Sequence, residues 1–174
     1  MNDLLPALSG LPNLHPAVVH FPLALLPVAV LFDLLLLFAP RRVWLDRSAA
    51  LLYGLAAAGA FAAVRTGEAA ESTLGPMASA AHTLLEEHED LGKKFLWAVL
   101  VIAAARLLLT WRDLRTDVVQ RDILRMAALA AGIVSLALLA STADHGGRLV
   151  YRHGTAVTRS AAPAEAAETT PSPP

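Results

Sequence analysis

The chain contains no cysteine. That absence excludes disulfides, thiolate metal sites, iron–sulfur ligation within this chain and covalent haem attachment through a CxxCH motif, so any cofactor must be held by nitrogen or oxygen. Charge is scarce as well: 17% of the 174 residues are Asp, Glu, Lys or Arg. A net charge of −1 with scattered basic residues forms no extended cationic patch, so nucleic acid is not an expected partner. Also missing are a serine nucleophile signature, a phosphate-cradling glycine loop, a dinucleotide fingerprint and an HExxH pair. An enzyme is therefore not the expected class, and any catalysis would have to come from a bound metal or haem. What abounds is apolar. Hydrophobic residues make up 56% of the chain and the mean hydropathy is +0.53, which points to the bilayer as solvent.

Four apolar runs approach the ~20 residues that a hydrocarbon core of roughly 30 Å asks of a helix. They cover 17–38, 48–64, 95–111 and 123–143, predicting an all-α integral membrane bundle of four transmembrane helices over residues 1–155. The second run is one of the two shortest. Its Ala50, Gly54, Ala58 and Ala62 form a small-residue stripe that reads as an interhelical seam. No Lys or Arg precedes Arg41, so the first run lacks the basic flank of a secretory signal and is expected to stay as the first span. Residues 156–174, rich in Ala, Pro and Thr, are expected to be disordered.

The short connections after spans one and three carry Arg41, Arg42, Arg47, Arg112, Arg115 and Arg121. Under the positive-inside rule they are cytoplasmic, which places both termini outside a bacterial inner membrane. Trp44 and Trp111 sit where aromatic belts sit. This trace delivers His15, His20, His82, His88, His145 and His153, all six histidines, to the outer face. Within the loop before span three, SAAHTLLEEHEDLG has helical propensity and sets His82, Glu86 and Glu89 on one face, predicting a short amphipathic helix over the outer mouth.

Two ions lie well inside apolar runs. Asp33 and Arg106 are each five residues from the end of their span. Antiparallel first and third helices would hold them at similar depth, and isolated ions in hydrocarbon cost ~2.5–3.5 kcal/mol on insertion scales. An Asp33–Arg106 pair is expected, as a registry clamp between helices.

The strings LHPAVVHFPLALLPVAVLFDLL, EEHEDLG and DHGGRLVYRHG resemble the small bacterial membrane-protein family named domain of unknown function 2231. The likeness spans Leu14 to Gly154. It implies four membrane helices with the histidine motifs on one side. Related domains joined to Rieske-type iron–sulfur domains suggest redox company.

A four-helix bundle can offer neutral imidazoles from facing helices to both axial positions of a b-type haem. His20 and His145 form the first expected pair, with His15 and His88 as further ligands. Asp144 is a possible acceptor for an imidazole N–H, and Gly146 and Gly147 allow a flat macrocycle to approach or simply stop the helix. Pro16, Pro22 and Pro27 would shape the outer half of span one. The rival reading is Zn or Cu held by several imidazoles, His82 and His153 among them, with Glu86, Glu89 or Asp144. A third is a non-catalytic structural or assembly subunit whose histidines cap a polar mouth. The haem reading carries electron transfer to a periplasmic or membrane redox partner.

Overall fold

The computed structural model describes residues 13–39, 42–114 and 123–155. Almost every one of them is helical, and there is no strand among them. Helix α1 is His15–Phe38, α2 Val43–Glu71, α3 Ser79–Leu114 and α4 Ile123–His153, each long and apolar enough to cross a membrane. The 156–174 tail, Arg41, Arg115 and Arg121 fall outside the described residues.

The helices outrun the apolar runs that announce them. α2 continues to Glu71 and α4 to His153 because their polar ends are good helix formers that no longer need hydrocarbon around them. The amphipathic segment containing His82 and His88 is helical as expected. It is not a separate element, however: nothing in SAAHTLLEEHEDLGKKF breaks the hydrogen-bond ladder, so it forms the first turns of the 36-residue α3. Gly146 and Gly147 likewise do not stop α4. The helix ends at Gly154, whose φ of 63° lets its N–H bond the Val150 carbonyl at 3.0 Å. In α1, Pro22 lacks the amide that would close on Val18, and the helix is irregular at Val19.

Packing is cyclic. α1 lies against α2, α2 against α3, α3 against α4 and α4 against α1, while the backbones of neither diagonal pair come close. The α1–α4 seam is the loosest of the four. Two side-chain pairs nonetheless cross the α1–α3 diagonal, His15 with His88 and Asp33 with Arg106. Since both pairs advance in the same sense along the chain, α1 and α3 run parallel. This corrects the antiparallel relation: in an up-down-up-down ring the first and third helices share a direction, so equal distances from their ends give equal depth. Eighteen residues separate the two positions on each helix, which is five whole turns and roughly 27 Å of rise. One face of each helix therefore carries a polar group at both ends of an apolar stretch about as thick as a hydrocarbon core.

Between the polar layers the interior is small and tight. Leu26, Ala29, Val30, Tyr53, Ala56, Ala57, Ala60, Val99 and Ile102 form its centre. The seam of α2 is not the stripe read from the sequence. Ala58 is exposed and a Cβ at Gly54 would meet nothing, because Tyr53 and the buried Ala49, Ala56, Ala60 and Ala63 set a face rotated from it. Close approach occurs at Gly59, where a Cβ would lie 2.9 Å from Phe21 Cβ, and at Gly132, where it would lie 2.5 Å from the Tyr53 hydroxyl and 3.1 Å from Val30 Cγ2. The exterior is apolar: Leu31, Leu108, Val101 and Val134 all lie about half exposed or more, as lipid-facing residues do.

Gly132→Ala should lower the thermal unfolding midpoint in detergent, since the buried Tyr53 cannot swing away. Tyr53→Phe removes the clashing oxygen and should recover part of that loss in the double variant. Strict additivity of the two changes would contradict the contact.

Candidate functional site

Polar chemistry in the bundle is concentrated at its two ends. At the end formed by the start of α1 and α3 and the finish of α2 and α4, three histidines are drawn inward. His15 Nδ1 donates to the Ala63 carbonyl of α2 at 2.8 Å, with Thr66 Oγ1 at 3.4 Å beside it. His88 Nδ1 donates to the Thr142 carbonyl of α4 at 2.9 Å, and His145 Nδ1 to Ser141 of its own helix at 2.8 Å. A carbonyl only accepts, so each neutral ring carries its proton on Nδ1 and keeps the Nε2 lone pair. This is how ligating imidazoles are held in oriented sites.

The His15 and His88 rings meet across the bundle axis, with centroids 6.3 Å apart and planes 87° to one another. Glycine makes room for both. A Cβ at Gly67 would sit 3.2 Å from His15 Cε1, and one at Gly146 would sit 3.0 Å from His88 Cε1. Gly146 thus accommodates an imidazole, whereas a Cβ at Gly147 would meet open space. His145 Nε2 lies 3.6 Å from Glu87 Oε2, an acid that helical spacing alone did not single out.

The remaining expected ligands lie outside this group. His20, five residues after His15, is about 140° around the helix and exposed. The ring contact therefore joins His15 to His88, not His20 to His145. His82 is exposed and 3.5 Å from Glu86, Glu89 takes Lys93 at 3.3 Å, Asp144 faces Arg148 at 3.8 Å, and His153 is exposed. Among the described residues no group of three His, Cys, Asp or Glu is placed to hold a metal ion.

The opposite end holds a buried ionic cluster. Arg106 of α3 bonds Asp33 of α1 at 2.7 Å and Asp46 of α2 at 3.0 Å. Arg125 of α4 joins Asp46 and Asp113, and Thr110 donates to Asp46 at 3.0 Å. The expected Asp33–Arg106 clamp is present, enlarged to all four helices. Asp46 and Asp113 escaped notice because they lie beyond the apolar runs, in what read as turns. Each carboxylate here is matched by guanidinium, which offsets the cost of burying it.

Replacing Arg106 by Leu leaves Asp33 and Asp46 without their shared partner. It should cost on the order of 3–5 kcal/mol, seen as a large fall in the detergent unfolding midpoint; an unchanged midpoint would remove the cluster from the forces holding the fold. The cysteine-free background permits a second test. Cysteines placed at His82 and His153 should react with an impermeant maleimide from one side of the membrane and a cysteine at Arg42 from the other, and labelling all three from one side would break the four-span weave.

No curated protein and no solved structure matches this chain. A family model described as a predicted membrane protein (DUF2231) matches residues 11–159, taking in both polar layers and the helices between them. The chain belongs to that membrane-protein family.

Proposed function

We propose that the histidine layer binds b-type haem, with His15 and His88 as the axial ligands, and that the protein transfers electrons at that face of the membrane. The observation that carries the reading is the diagonal pair of imidazoles, each with Nδ1 committed to a neighbouring backbone carbonyl and Nε2 left as a base. A haem asks the protein for two nitrogen ligands, whereas a closed zinc site asks for four and a catalytic one for three. The donor set in the described residues suits the smaller demand. Bound haem would supply a one-electron iron centre. The chain's own contribution is to fix ring orientation through Ala63 and Thr142, to let the α2 backbone approach the His15 ring at Gly67 and the α4 backbone the His88 ring at Gly146, and to set His145 and Glu87 at the rim as polar neighbours. A periplasmic or membrane redox partner follows from this reading, as does an inner-membrane location with the histidine layer and both termini outside.

Full-length protein purified in mild detergent after expression with haem available should show a Soret band and sharp α and β bands on reduction. His15→Ala and His88→Ala should each abolish most of that absorbance, while His20→Ala and His153→Ala retain it. Colourless wild-type protein holding stoichiometric zinc or copper would replace haem with the metal reading. Protein with neither would leave a structural role for the layer.

A further inference from the structure

The ionic end of the bundle presents charge of one sign on its outside. Among the described residues its acids, Asp33, Asp46 and Asp113, are turned inward with side chains no more than 6% exposed, and Arg106, Arg125 and Arg112 engage them. Arg42 and Arg47 are left exposed at the start of α2, and neither makes an ion pair or a side-chain hydrogen bond among the described residues. Helical stepping explains this for Arg47: it follows Asp46, and the turn of about 100° between them sends the acid to Arg106 and the base to the outside. At the histidine end, by contrast, Arg65, Lys93, Lys94 and Arg148 each face an acid of their own helix.

The depth of Arg47 is set by its neighbour. Thr110 of α3 donates to Asp46 at 3.0 Å, so Arg47 lies level with Thr110 and with Trp111 beside it, where an aromatic belt marks the headgroups. On the face of α2 that carries Arg47, Trp44 is one turn nearer the helix start and 61% exposed, and Leu51 is one turn deeper and 60% exposed. The Trp44 ring is braced against Phe32 of α1. No side chain caps the first-turn amides of α2, so the positive end of the helix dipole adds to the field of the two guanidiniums. A guanidinium between tryptophan and leucine at that depth matches the phosphate of a lipid, which it can bond with two N–H groups. Farther along, Gly54 and Ala58 continue the face as the small-residue stripe that the bundle leaves outside. A second copy seated there in the same orientation would bring two Arg47 side chains together, and like charges oppose that pairing.

We propose that Arg42, Trp44 and Arg47 hold the headgroup of an anionic phospholipid in the leaflet at the ionic end, its chains lying along Leu51 and the Gly54–Ala58 stripe. A zwitterionic headgroup brings its own cation to a place that already has two, so the site selects net negative charge. It lies at the opposite end from the histidine layer and does not depend on what that layer holds.

Native mass spectrometry of the full-length protein, titrated in detergent with phosphatidylglycerol or with phosphatidylcholine of the same chains, counts the bound lipid. Phosphatidylglycerol should be retained in preference. Arg42→Gln and Arg47→Gln should each weaken its binding about fivefold, and the double variant should bind the two lipids alike. Arg65→Gln, at the other end of the same helix, should keep the preference. None of these changes touches the buried cluster, so the lipid-free thermal midpoint should stay where it is. Equal affinity of the wild type for both lipids, or a preference that survives the double substitution, overturns the assignment. So does a dimer that Gly54→Leu disperses, which would give the face to a second copy.

Discussion

The bundle depends on an ion pair that joins two helices whose backbones do not touch. α1 and α3 stand on a diagonal, and Arg106 spans it to reach Asp33. In a bilayer, apolar side chains gain little by turning from lipid to protein, so association must come from close packing and polar bonds. Here close packing is supplied by alanines, by Gly59 against α1, and by Gly132, which meets Val30 of α1 and Tyr53 of α2. At this end the α1–α3 diagonal is crossed by charge. Because Arg106 also bonds Asp46, and Asp46 also bonds Arg125, a single connected set of side chains fixes the register of all four helices at that end.

The histidine layer repeats this logic with weaker bonds. His15 links α1 to α2 and His88 links α3 to α4 through backbone carbonyls, and the two rings then meet across the axis. His15 and His88 thus tie their helices through hydrogen bonds to backbone carbonyls, whereas the other end is tied by paired charges.

Four spans, their connectivity and the Asp33–Arg106 pair were legible in the sequence, because an ion inside an apolar run is conspicuous and has few partners at its depth. The breadth of the cluster was not. Asp46, Asp113 and Arg125 sit at helix ends where charge is commonplace, and the two acids are brought inward only by the continuation of α2 and α3 past the apolar runs. The histidines were legible as a one-sided set, yet their convergence hinges on α3 beginning at Ser79, which carries His88 over the axis and leaves His82 outside. The α2 seam was misread for a related reason: alanine occurs on several faces of that helix, and the choice among them was made by Tyr53, a large side chain that needed the space opposite Gly132.

Five helical turns separate the polar layers on both α1 and α3, and this spacing acts as a rigid ruler. A single added residue in either stretch would rotate one layer by about 100° relative to the other, so the chain cannot change its span by small steps. A bilayer thinner than the ruler must instead be met by leaning the whole bundle or by deforming the lipid around it.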